Sequence, residues 1–313
     1  MKKLFLSFIA MSLTSMVVAS CVTADNWQQL VGKVDAPLEN KYLQWGPNKT
    51  ATFEQKSSEE CIGTYKIWYP ADMAQHPGKK YPMVVLVNGT GWTHDKYPYI
   101  FQHLASWGFI AAGNMDKSSG NGKSSALTLD FMLKENQRKG SLFYGHVDTN
   151  NIGVAGHSQV GAGVFNAITA WQNSYVYKAA YSQSPTHLQL AIDALKFSYN
   201  ITKVNIPIAI MCMSDTKGIL HDADDGKGNR ICDIKDMRKM KKDIRSRHPQ
   251  NTVILARIAN PDKDHGANLR ESEPYLVAWM RYYLMGDKEA GTCFFGQNPE
   301  ILHNSRWQDV DLK

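Results

Sequence analysis

From residue 63 onward the sequence alternates between short apolar runs and longer stretches with helical spacing. The runs are Gly63–Tyr69, Met83–Val87, Phe109–Gly113, Ile152–Gly156, Lys178–Gln183, Ile208–Met213 and Val253–Ile258. Several, such as MVVLV and IAIMCM, are apolar without alternation. A strand with one face in water alternates apolar and polar residues. A strand buried on both faces does not, and that is the pattern of a parallel sheet covered by helices. The intervening segments fit those helices. In YPYIFQHLASWG, Ile100, Leu104 and Trp107 fall on one stripe, and Gly108 stands where a helix C-cap is expected. The alternation predicts an α/β class chain with a doubly wound, mostly parallel sheet. No repeat or low-complexity linker divides it, so a single domain is expected over residues 61–313. The polar, weakly patterned residues 25–60 read as an N-terminal arm wrapped on that domain.

The first 24 residues stand apart. Lys2 and Lys3 precede the apolar run LFLSFIAMSLTSMVVAS, the charge and length pattern of a secretory signal. Two processing readings stay open. VASC resembles a lipobox, which would make Cys21 the lipidated first residue and attach the protein to a membrane. VTA offers small residues for cleavage before Asp25. Either way the chain is expected to be exported: periplasmic, extracellular or lipid-anchored to the outer cell surface. No later segment approaches the ~18 apolar residues of a spanning helix, so a soluble body is expected. In an oxidising compartment Cys61, Cys212, Cys232 and Cys293 allow three pairings, and at least one disulfide is expected. Cys212, inside an apolar run, can equally be a buried thiol. The formal charge is +6, and removing residues 1–24 takes away two lysines and no acid, leaving a mild +4. The basic segment Asp233–Arg247 reads as a solvated helix face, and no nucleic-acid partner is implied.

In an open α/β sheet, ligands bind beyond the carboxyl ends of the strands. The stretch NNIGVAGHSQVGAGVF places Ser158 immediately after one apolar run and at the head of a small-residue helix. That is the arrangement of a nucleophile elbow, which holds a hydroxyl at a helix N-terminus. The elbow pattern G-x-S-x-G is met at Gly156 and broken at Val160, with glycine delayed to Gly161. An earlier strand ends in VNGTGW, so the backbone N–H groups of Thr90 and Gln159 are a natural pair of oxyanion donors. Asp215 stands just past the run IAIMCM and His265 past VILARI. The order Ser158, Asp215, His265 is the one this fold uses.

With these residues the chain resembles an α/β-hydrolase of the secreted polyester-hydrolase, cutinase-like and chlorophyllase/dienelactone-hydrolase-like group. The likeness runs from about Gly63 to Phe295 and is carried by GHSQ, VNGTGW, HLASWGFIAAG, SDTKG, KDHGAN and the closing YLVAWMRYYLMGD. It implies Ser158 as nucleophile, Asp215 as the orienting acid, His265 as general base, and Thr90 and Gln159 as oxyanion donors. It also places Trp92 and Thr186 near the substrate cleft. Val160 departs from the family pattern, and the stretch between Asp215 and His265 is longer than in compact members.

Other features point elsewhere. Asp222 and Asp224 compete with Asp215 for the acid role but lie farther along the chain from the strand end. The loop HDADDGKGNRICD offers Asp222, Asp224, Asp225 and Asn229 as oxygen donors, but out of step with an EF-hand, and reads as a polar loop. KSSGNGKSS lacks the first glycine of a phosphate loop. His157 reads as a wall residue of the cleft. The expected activity is cleavage of carboxylic esters (small molecule, lipid or polymer) through an acyl-enzyme, by a monomer needing no cofactor or metal. An amidase, peptidase or acyltransferase on the same fold, or a non-catalytic surface binding module, are the alternatives.

Overall fold

All seven apolar runs become strands of one sheet. The computed structural model describes residues 23, 25–214, 220–222, 229–259 and 265–313. In chain order the elements are α1 (Pro37–Leu43), β1 (Thr50–Lys56), β2 (Thr64–Pro70), β3 (Tyr81–Val87), α2 (Pro98–Ser106), β4 (Ile110–Gly113), α3 (Lys123–Gln137), β5 (Val147–His157) and α4 (Gln159–Thr169). There follow β6 (Tyr177–Gln183), α5 (Leu188–Asp193), β7 (Ile208–Met213), β8 (Leu220–His221), β9 (Asn229–Arg230), α6 (Ile234–Arg247) and β10 (Val253–Ile258). The chain closes with α7 (Asn268–Glu271), α8 (Glu273–Met285), α9 (Lys288–Gly291) and β11 (Trp307–Asp311).

The nine-stranded sheet runs β1-β2-β4-β3-β5-β6-β7-β10-β11, with β8 and β9 pairing separately. From β4 to β10 neighbours are parallel, while β1 against β2, β2 against β4 and β10 against β11 are antiparallel. Side chains alternate between two cores. Val84, Leu86, Ala155, Tyr181 and Met211 meet α2 and α8, while Met83, Val85, Val154, Ala180 and Ile210 meet α3, α4 and α6. Both faces are apolar because both are covered, which is why the runs did not alternate.

After β3 the chain moves to β4 on one side, then crosses to β5 on the other. The switch between β3 and β5 opens a crevice at their carboxyl ends. Thr90 follows β3 and Ser158 follows β5, with Val87 paired to Gly156.

The residues read as an arm are built into this body. β1 pairs with β2 from Thr50↔Pro70 to Lys56↔Thr64. Trp27 is fully buried and stacks on Tyr99 at a ring separation of 5.3 Å. The sequence hid β1 because TATFEQK is an edge strand whose polar side chains face water. The expected disulfide is absent: Cys61, Cys212, Cys232 and Cys293 are all free thiols. Cys61 is exposed, and the sheet separates Cys293 in one core from Cys212 and Cys232 in the other. Burial pushes the Cys212 and Cys232 thiols up, Cys232 the further. Residues 1–22, including Cys21 and the apolar run, lie outside the described residues. No helix among the described residues is long and apolar enough to cross a membrane.

Candidate active site

Ser158 has φ 67 and ψ −129, in the positive-φ half of backbone space that a non-glycine residue enters only when its surroundings force it. The forcing elements are β5 and α4, which meet at this residue with no intervening loop. Gln159 is the first residue of α4, so its N–H has no acceptor within the helix. A side chain at Gly156 would put its Cβ 2.6 Å from the Val160 carbonyl oxygen, so strand and helix cross too closely for anything larger than glycine. The second small position has moved. A Cβ at Gly161 would meet the Gln183 carbonyl oxygen at 2.5 Å and the Pro185 Cα at 2.8 Å. Gly161 is therefore where α4 lies against the end of β6. Val160 points instead into the core and is fully buried. The broken sequence pattern is an intact elbow with its glycine one place on.

Ser158 opens into a cleft of about 970 Å³, counting the space open to solvent. Thr90, Trp92, Gln159, Thr186 and His265, each expected at the site from sequence, line it together with Ser158. Leu86, Ile100, Leu190, Leu195, Ile231 and Leu269 make the rest of the wall largely aliphatic. Thr90 donates its hydroxyl to Gln159 Oε1, tying to each other the two residues expected from sequence to be oxyanion donors. Trp92 lies against Tyr97 with ring centres 6.3 Å apart. Thr186 is fully buried, and its Oγ1 has no hydrogen-bond partner among the described residues.

His265 begins the short helical turn after β10 and is 2% exposed. Its Nδ1 lies 3.4 Å from Oδ1 of Asp222, whose side chain is completely buried. Oδ2 of Asp222 accepts hydrogen bonds from the Ser184 hydroxyl and, at 3.3 Å, from the Met213 N–H. Asp215 lies outside the described residues, as do Asp224 and Asp225. Among the described residues the carboxylate beside His265 is Asp222, which the sequence offered as a competitor of Asp215. The signal that places it is spatial: Asp222 accepts from the N–H of Met213, the last residue of β7, despite standing nine residues beyond it.

His157 packs its ring against His265 at 4.5 Å and donates Nε2–H to the His265 carbonyl at 3.0 Å. Burial, reinforced by the neighbouring His265, holds its pKa well below the usual imidazole value. It lines the cleft beside the serine with its ring held in the neutral form. Ser184, which donates to Asp222, and Asn268, which donates to Ser184, had no sequence signal beyond their position after strands. Among the described residues no three His, Cys, Asp or Glu side chains are grouped to hold a metal ion.

No curated protein matches the chain. Residues 37–217, which include Thr90, Ser158 and Gln159 and make up more than half of the sequence, match the PET hydrolase-like family. The doubly wound sheet and the serine elbow at its switch point agree with that match, and the chain belongs to the PET hydrolase-like family of α/β-hydrolases.

Proposed function

We propose that the protein is an exported serine hydrolase that cleaves carboxylic esters through an acyl-enzyme. Membership of a hydrolase family acting on esters supports the reaction class. The observation that carries the mechanism is the forced backbone of Ser158 at the head of α4, in one cleft with His265, with Asp222 behind that histidine. Lys2, Lys3 and the apolar run after them support export, with Cys21 as the membrane attachment if it is lipidated.

In this reading His265 takes the proton from Ser158 Oγ as the oxygen attacks the ester carbonyl. Asp222 at Nδ1 orients the ring and stabilises the imidazolium. Its 3.4 Å separation is of the kind that tightens when substrate binds. The negative charge developing on the carbonyl oxygen is met by the N–H groups of Gln159 and Thr90, each worth about 2.7–4 kcal/mol in such sites. His265 then protonates the leaving alcohol. Water activated by the same histidine releases the acid and frees Ser158. The largely aliphatic wall, interrupted by Trp92 and the unsatisfied hydroxyl of Thr186, favours an uncharged acyl group, as in neutral small esters or polyester segments.

The test is active-site labelling with a fluorophosphonate, followed by turnover of p-nitrophenyl esters of rising chain length and of an amorphous polyester film. Wild type is expected to label and turn over, and Ser158→Ala to do neither. Asp222→Asn is expected to lose most of kcat, by up to about 10⁴-fold, while Asp215→Asn keeps it. A folded wild type that neither labels nor turns over any ester would leave a binding module. Turnover of amides, or acyl transfer to added alcohols in preference to water, would move the reading to the other enzymes of this fold.

A further inference from the structure

Behind His265, around Asp222, lie two buried polar side chains that the acyl-transfer scheme does not use, Ser184 and Asn268. Ser184, Asn268 and Asp222 are each completely buried. Ser184 follows β6 and has φ 42, a left-handed conformation that a serine rarely takes. Its N–H donates to the Met211 carbonyl at 2.7 Å, and its hydroxyl meets both other side chains. Asn268 donates its Nδ2 to Ser184 Oγ at 2.5 Å and to the Met211 carbonyl at 3.3 Å. The Met211 carbonyl can only accept, so it decides which end of the Asn268 amide faces Ser184. With one lone pair of Ser184 Oγ taken by that amide, the hydroxyl proton is left to point at Asp222 Oδ2.

We infer that Ser184 is a positioning residue for the Asp222 carboxylate and, through it, for His265; the inference rests on Asp222 as the acid of the triad. The Ser184 hydroxyl and the Met213 N–H together hold Oδ2, which stops the carboxylate from rotating and leaves Oδ1 for His265 Nδ1. Asn268 sits three residues after His265 in the same short helical segment. The contacts therefore close a ring: His265 to Asp222, Asp222 to Ser184, Ser184 to Asn268, and back to His265 along the chain. The ring joins the loops after β6, β7 and β10, so a shift in any of them is resisted by the other two. A left-handed backbone at Ser184 fits this role, since such a conformation persists where neighbouring contacts over-determine it.

A hydroxyl that only plugs the space between loops would matter to folding and not to turnover. The two roles separate in Ser184→Gly and Ser184→Ala, measured for kcat, KM and thermal midpoint. Glycine takes φ 42 without strain, so Ser184→Gly keeps the fold while removing the hydroxyl. Positioning predicts that both variants lose kcat by about 10- to 100-fold, the scale of one hydrogen bond to a charged group, with KM within about twofold of wild type. Asn268→Ala is expected to lose a similar factor, and the double variant Ser184→Ala/Asn268→Ala no more than the larger single loss. Wild-type kcat in Ser184→Gly, or fully additive losses in the double variant, overturns the inference. Asp222→Asn run alongside distinguishes the failures. An active Asp222→Asn removes both the triad acid and this inference, whereas an inactive one beside a fully active Ser184→Gly removes only the inference.

Discussion

Gly161→Ala tests the displaced elbow most directly. The new methyl would fall 2.5 Å from the Gln183 carbonyl oxygen, 2.8 Å from Pro185 Cα and 3.0 Å from Pro185 N. All three are backbone atoms, so no side chain can rotate aside, and α4 must withdraw from β6 by about half an ångström or more. Overpacking of this kind destabilises by about 1–3 kcal/mol. Replacing a helical glycine with alanine returns roughly 0.8–1 kcal/mol, leaving a net loss of about 0–2 kcal/mol. The catalytic effect is larger. Gln159 and Ser158 lie at the head of the helix that moves, and a misplacement approaching 1 Å reduces turnover by up to about 100-fold. Val160→Ala is the control, because Val160 is fully buried in the core and points away from the cleft. It loses two methyl groups and should cost about 1–2 kcal/mol, the same order of stability, through packing alone. Urea unfolding and kcat/KM on p-nitrophenyl acetate should then show two variants of similar stability, of which only Gly161→Ala has lost most of its activity. Equal kcat/KM in the two, to within about threefold, would refute the claim that Gly161 does the work of the missing elbow glycine.

Two further outcomes follow from burial. The His157 pKa is held well below its unfolded value of about 6.5, so the unfolded chain takes up that proton first. Its contribution to stability is present in full above pH 6.5 and lost below it, at about 1.4 kcal/mol per pH unit until the folded value is reached. His157→Gln should therefore flatten the fall of unfolding free energy between pH 6.5 and 5 by one proton's slope, and parallel curves for the two proteins would contradict the neutral assignment. In the folded protein Cys61 should react with a water-soluble thiol reagent within minutes, while Cys212, Cys232 and Cys293 react only after unfolding.

The sheet was legible because burial on both faces leaves a mark that a short window can hold. MVVLV and IAIMCM are apolar at every position since neighbouring residues enter opposite cores. The edges left no such mark. In β1 most of TATFEQK faces water, so what makes it a strand is the partner at Thr64–Pro70, not its own pattern. The packing of the arm left no mark for a related reason. Trp27, Glu39, Tyr42 and Leu43 are the residues of that segment that are buried, and they are too few and too unevenly spaced to show a period. Cysteine number was misleading as well. Parity says nothing about which side of a sheet each thiol occupies: here Cys293 is in one core, and Cys212 and Cys232 share the other as neighbouring free thiols.

At the site, the residues that sit on the strand ends were recoverable from sequence: Ser158, Thr90, Gln159 and His265 all line one cleft. The acid shows where that logic stops. Distance along the chain from β7 favours Asp215, two residues beyond Met213, over Asp222. In space Asp222 also stands at the strand end, where it accepts from the Met213 N–H and lies beside His265. The rule that chemistry gathers at strand ends therefore holds for Asp222 in three dimensions, although nine residues of chain separate it from Met213. What holds the carboxylate there is its own set of donors, Ser184 and Met213, and a buried carboxylate is held only where such donors wait. A serine at φ 42 and an asparagine three residues past the histidine are the other half of that arrangement. They belong to separate loops, so no local window of the sequence contains the arrangement that makes Asp222 the partner of His265.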